Sequence, residues 1–122
     1  LDTTPPNAIL ALAADLLFAS RIRAVAESAG RSVTLVRSAD AAIEAVTAGA
    51  IRLAFLDLEA RAIDVPALIR RIRAVPNAPH IVAFGRHTST ESLAAARAAG
   101  ADRVLARSAF VRALPELLSA AG

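Results

Sequence analysis

The sequence predicts an α/β domain, a doubly wound, five-stranded parallel sheet with helices on both faces. Three observations carry that expectation. Short apolar runs of strand length alternate with helix-period segments along the whole chain. The central runs, such as AILALAA and the IVAF of HIVAF, are apolar at successive rather than alternate positions, as strands covered on both sides must be. Successive runs are separated by enough chain for a crossover helix, which parallel neighbours require. With 122 residues, 56% of them apolar, the chain is one domain with material for a single core.

The first run, AILALAA over 8–14, reads as a buried strand, and LDTTPPN over 1–7 reads as a disordered segment ahead of a domain at 8–122. LLFASRIRAVAESAG (16–30) follows as a helix with Phe18, Ile22, Val25, Ala26 and Ala29 on one face, ended by Gly30. SVTLVR (32–37) is the second strand, and Ser38 caps the helix ADAAIEAVTAG, which Gly49 closes. IRLAFLD (51–57) is the third strand. After the loop LEARAI, Asp64 caps PALIRRIRAV, with Pro66 in the first turn, where a missing backbone donor is harmless.

HIVAF (80–84) is the fourth strand, bounded by Pro76 and Pro79 before it and Gly85 after it. Thr88 and Glu91 have capping-box spacing, so the next helix is expected to begin near Ser89 and to end at Gly100. DRVLA (102–106) is the fifth strand and Ser108 opens the last helical stretch. Pro115 leaves two options there: a kinked helix, or a short turn over 109–113 followed by a separate helix that Pro115 begins.

Composition removes several function classes. With no cysteine, neither a disulfide framework nor a thiolate zinc site is available, and His80 and His87 are the only imidazoles. No apolar run approaches the roughly 20 residues of a membrane span, and LDTTPPN lacks the parts of a signal peptide, so a cytoplasmic protein with no membrane contact is expected. All 14 basic residues are arginine, for a formal net charge of only +3. The densest group, Arg70, Arg71 and Arg73, reads as a solvated helix face, and the four Phe sit in apolar contexts rather than among cations. Nucleic acid is therefore not an expected partner.

The stretch LAFLDLEA (53–60) holds the main chemical signal, an apolar strand that stops on Asp57 with Glu59 two residues on. Doubly wound sheets form their functional crevice beyond the carboxyl ends of the strands, so Asp57 is expected at that edge, hydrated and within reach of neighbouring loops. GRHTST (85–90) lies at the same edge and joins Gly85, Arg86, His87 and three hydroxyls to a helix N-terminus. Ordinary capping accounts for most of that pattern. The alternative is a small-anion site with Arg86, Thr88, Ser89 and Thr90 as donors, using the free amides of Ser89 and Thr90. No nucleophile with a matching base is evident, so the chain is not read as an enzyme.

Residues 8–120 resemble a response-regulator receiver domain. LAFLD places Asp57 where that family's phosphoacceptor aspartate ends the third strand, AAARAAGAD resembles the exit of its fourth helix into the fifth strand, and LARSAF lies where the family has a lysine-proline pair. The resemblance implies the flavodoxin-like strand order 2-1-3-4-5, a histidine kinase as phosphoryl donor to Asp57, magnesium held between acids, and an output face made by the fourth helix, fifth strand and last helix. Several positions depart from the pattern. The family's acidic pair falls at Ala13 and Ala14, leaving only Asp15 nearby; its hydroxyl residue falls at Gly85; its switch aromatic falls at Val104; Arg107 and Ser108 replace the lysine and proline.

Magnesium is accordingly expected to bind poorly to Asp57, Asp15 and a backbone oxygen near Glu59, and no other cofactor is implied. Asp57 is read either as half of a standing ion pair with Arg107, whose guanidinium takes part of the metal's space, or as a hydrated relic. The leading functional expectation is an atypical receiver-like module that works by protein contacts without phosphorylation. The alternatives are a phosphoacceptor in a two-component phosphorelay using Asp57, and an anion sensor at 85–90. The expected partner is a histidine kinase or a downstream regulator, with homodimerisation through the last two helices as the receiver precedent. Leu16, Leu17 and the alanine-rich fourth helix are the expected contact surface.

Overall fold

The computed structural model describes residues 8–120, so the segment 1–7 expected to be disordered lies outside the described residues. In chain order these form β1 (Ala8–Leu12), α1 (Leu16–Ser28), β2 (Val33–Val36), α2 (Ala39–Thr47), β3 (Ile51–Asp57), α3 (Val65–Arg73), β4 (His80–Gly85), α4 (Thr90–Ala99), β5 (Arg103–Ala106) and α5 (Arg107–Ala120). The strands pair in parallel in the order β2-β1-β3-β4-β5, as expected.

Two-sided burial explains why the central strands β1, β3 and β4 show no polar alternation. Leu10, Leu12, Ala54, Leu56, Ile81 and Ala83 face one layer, filled by α2, α3 and α4. Ile9, Ala11, Leu53, Phe55, Val82 and Phe84 face the other, filled by α1 and α5. The second layer holds all four phenylalanines of the chain. Phe84 and Phe110 stack at 4.1 Å between centroids, Phe55 meets Phe110 edge-on at 5.0 Å, and Phe18 closes the group 5.3 Å from Phe84.

Local chemistry sets the helix ends. Asp15, Ser38 and Asp64 accept hydrogen bonds from the amides of Phe18, Ala41 and Ala67, capping α1, α2 and α3. α1 ends in a Schellman arrangement: Gly30 has φ 76°, the Arg31 amide donates to Ala26 and the Gly30 amide to Glu27. Ala29 was expected on the buried face, but as the C-cap it turns out to solvent. α4 ends the same way at Gly100, φ 110°, with Ala101 donating to Ala96.

Three expectations are corrected. β1 stops at Leu12 rather than Ala14, because Ala13 and Ala14 turn the chain toward the Asp15 cap. The Thr88–Glu91 capping box does not form: a turn in which the Ser89 amide donates to the Arg86 carbonyl delays the helix to Thr90, and its N-cap Ser89 makes no side-chain bond. α5 starts at Arg107, not Ser108, and runs through Pro115 as one helix. Pro115 lies on the exposed side, where water can meet the carbonyl that its ring leaves without a helical donor.

Two charged residues tie elements together at the edge away from Asp57. Asp102 accepts the Ile81 amide at 2.7 Å and a two-pronged contact from Arg73 at 3.1 and 3.2 Å, joining α3, β4 and the approach to β5. Arg31, only 5% exposed, donates to the Leu118 carbonyl in the last turn of α5, where a cation complements the helix dipole. Phe110→Ala should destabilise the chain by roughly 3–5 kcal/mol in urea unfolding, because a ring is lost at full burial. Leu17→Ala should fall within about 0.5 kcal/mol, because an exposed side chain leaves no cavity.

Candidate functional site

Asp57 ends β3 at the carboxyl edge of the sheet, beside Phe84 of β4 in the register. It is not the hydrated residue expected from its place at that edge: it is 0% exposed. Backbone and side-chain donors from three parts of the chain cover it. The Ala14 amide donates to Oδ2 at 2.8 Å and the Glu59 amide to Oδ1 at 2.9 Å. Arg107 Nη2 donates to Oδ2 at 3.2 Å. One carboxylate thus gathers the exit of β1, the loop after β3 and the start of α5.

Arg107 has three neighbours of its own. Beyond Asp57, its Nη1 lies 3.8 Å from Asp15 Oδ2, and its guanidinium sits over the Phe18 ring at 4.7 Å. A cation in the first turn of a helix opposes the helix dipole, so these partners must offset that position as well as the partial loss of water. The two carboxylates and the ring face differ in burial: the Asp15 side chain is 55% exposed and also caps α1, whereas that of Asp57 is fully enclosed. The Asp57 contact is therefore the stronger of the two electrostatically.

A second constellation lies alongside. Glu59 turns back over Gly85: its Oε2 accepts the Arg86 amide at 3.2 Å, and its Oε1 lies 4.0 Å from Arg86 Nε. A Cβ built on Gly85 would come within 3.1 Å of Glu59 Oε2 and 3.3 Å of Leu58 Cβ, so the missing side chain at 85 is what admits this carboxylate. Gly85 itself is a buried strand residue with ordinary φ. In the loop between, Ala62 adopts φ 62°, a strained conformation for a residue with a Cβ, and such strain gathers at functional edges.

The structure thus brings Asp57, Arg107 and Asp15 around one guanidinium, and Glu59, Gly85 and Arg86 around one carboxylate. Thr88 lines a groove with Arg86 and His87, and Ser89 and Thr90 start α4 beside it. The Ser89 amide was expected to be free, but it is spent in the 86–89 turn, and the anion that Arg86 meets is Glu59. Val104 packs among the partly buried residues of the α2–α4 layer. Sequence reasoning missed the Ala14 amide, which carries no side-chain signal, and the Phe18 ring, whose one-turn spacing from the Asp15 cap could have placed it at the crevice.

No protein-family model and no curated protein matches the sequence. Solved structures do match. The receiver domain of NtrX from Brucella abortus superposes with a TM-score of 0.80 at 22% identity, covering 93% of this chain and 96% of that one. This is the response-regulator receiver fold. A response regulator from Burkholderia pseudomallei, solved with a phosphorylated aspartic acid, a calcium ion and citrate, matches at TM-score 0.77 and 22% identity over 92% of this chain. NtrX from Brucella abortus in complex with ADP matches at 0.78 and 22% over 93%. The chain spans 66% of the first of these two proteins and 25% of the second.

Within the receiver fold, two substitutions test the site. Removing Arg107 (Arg107→Ala) leaves a buried carboxylate with two amide donors, and should cost about 3 kcal/mol in chemical unfolding. A double-mutant cycle of Asp57→Asn with Arg107→Gln should return a coupling of about 1–3 kcal/mol. Gly85→Ser should destabilise by roughly 1–2 kcal/mol through overpacking against Glu59, and the loss should shrink when Glu59 is cut back to Ala in the same chain.

Proposed function

We propose that this chain is a receiver-fold signalling module that works through protein contacts, without metal-dependent phosphorylation of Asp57. The observation that carries the reading is the Arg107 guanidinium, 3.2 Å from Asp57 and 3.8 Å from Asp15, between the carboxylates on which a metal would have to rely. Phosphoryl transfer draws its acceleration from positioning and charge stabilisation, so a site must offer an accessible attacking oxygen and concentrated positive charge on the incoming group. Asp57 lacks the accessible oxygen, since it is fully enclosed and both its oxygens already accept hydrogen bonds.

The donor set does not fit magnesium. Magnesium keeps several waters in its octahedron but still needs one or two carboxylates free of other partners to anchor it. Ala13 and Ala14 supply no side-chain oxygen, Asp15 is turned to its cap and to Arg107, and Glu59 to Arg86. Among the described residues no group of three or more acidic or imidazole side chains is placed to hold a metal ion. Gly85 provides no hydroxyl for a phosphoryl oxygen, and the space beside it is filled by the chain's own carboxylate.

The competing reading, a phosphoacceptor at Asp57, draws on the position of that residue at the end of β3 and on the phosphorylated aspartate of the Burkholderia pseudomallei regulator. On the proposed reading the partner is a histidine kinase or a downstream regulator that recognises shape. Homodimerisation through the last two helices would wrap the β5 edge, because α4 and α5 pack on opposite faces of the sheet. Among the described residues no helix is long and apolar enough to cross a membrane.

Intact-mass measurement after incubation with acetyl phosphate and magnesium separates the readings. The expected result is an unmodified chain, with no shift in melting temperature on adding magnesium. A gain of one phosphoryl group that disappears in Asp57→Ala overturns the proposal.

A further inference from the structure

We infer that the groove between α1, the 86–89 turn and the first turn of α5 is a docking site for an acidic segment of a partner protein. The inference rests on the reading of the chain as a protein-contact module and names the chemistry of the contact. The groove has a volume of about 480 Å³ and opens to solvent. Arg21, Arg86 and Arg107 line it together with His87, over an apolar wall that includes Phe18 and Val111; none of its lining residues is acidic.

Part of that charge stays exposed to solvent. Arg107 is committed to Asp57 and Asp15, but Arg86 is 74% exposed and reaches Glu59 only at 4.0 Å. Arg21 projects from α1 at an exposed position one turn beyond Leu17. Three of the chain's 14 arginines thus line one depression, and although Asp57, Asp15 and Glu59 meet two of them from outside it, Arg21 and Arg86 keep exposed guanidinium groups at its rim. Guanidinium groups in such a cluster favour carboxylates through charge and paired hydrogen bonds.

A second observation selects a protein segment over a small anion. Leu16 and Leu17 are the exposed large apolar side chains of the described residues, at 63% and 87%. Leu17 and Arg21 are four residues apart in α1 and therefore share one stripe of the helix, with Phe18 lining the groove beside them. Leu16 lines a separate hollow with Arg37 and Arg61, so a free phosphate or carboxylate here would use the arginines and leave Leu17 in water. An extended or helical segment with Asp or Glu beside Leu, Ile or Phe would cover both, giving apolar contact for affinity and charge for register.

The test selects dodecapeptides from a phage-displayed random library on the full chain, then measures the synthetic winners by fluorescence polarisation. Enriched peptides are expected to carry acidic residues beside an apolar one. Their affinity should fall about tenfold or more in Arg21→Glu/Arg86→Glu, fall in Leu17→Ser, weaken with added salt, and stay unchanged in Arg97→Glu, a reversal on α4. Circular dichroism of each variant separates lost contact from lost fold. Winners without acidic bias, winners indifferent to the groove reversals, or winners equally weakened by Arg97→Glu overturn the inference. Displacement by inorganic phosphate at constant ionic strength overturns it in favour of a small-anion site. A chain that binds acidic peptides yet also accepts a phosphoryl group on Asp57 removes the functional reading above and leaves this one standing; a chain that does neither does the reverse.

Discussion

A carboxylate with no access to water must have every oxygen answered by the protein, and Asp57 sets that requirement for the whole crevice. Its answer is assembled from far-apart parts of the chain: the Ala14 amide after β1, the Glu59 amide after β3 and the Arg107 guanidinium at the start of α5. None of these can move without leaving charge or polarity stranded in a dry place. The strand ends are therefore locked to one another by a single acid. The aromatic layer beneath them, with Phe18 under the guanidinium and Phe84 stacked on Phe110, fixes where that cation can stand.

The lock also governs chemistry. Arg107 sits against the acids, and Glu59 fills the notch that Gly85 leaves. Charge neutralisation comes from within the polypeptide rather than from solution. The proposed function and docking site both start from this internal pairing, which leaves the outer rim of the edge as the part open to solvent.

Much of the fold could be read from the chain because its signals were local and repeated. Apolar runs such as HIVAF marked buried strands, and Asp15, Ser38 and Asp64 sit where helix caps are needed. Errors arose where tertiary placement overrode local spacing. Thr88 and Glu91 have the right separation for a capping box, yet the turn from Arg86 to Ser89 starts the helix one residue later. At Pro115, where the sequence allowed either one kinked helix or a break, its solvent-facing position lets α5 pass through as one helix. Asp57 was placed correctly and hydrated wrongly, since its covering depends on the Ala14 amide and on an arginine 50 residues away. Asp102 and Arg31 gave no warning at all: each acts through a partner distant in sequence, and charge alone does not reveal a bond to Ile81 or Leu118.

The two ends of α4 differ in how they are held. At its C-terminal end, Gly100 lies against the Arg73 side chain, and Arg73 is itself bolted to Asp102. At its other end, Ser89 provides no side-chain bond, and between them the helix buries only Ala96 and Ala99. A rod anchored at one tip and resting on two small side chains moves most easily as a door does, swinging about its hinge. A force applied to the Arg86–Ser89 turn therefore meets less resistance from α4 itself than one applied at Gly100.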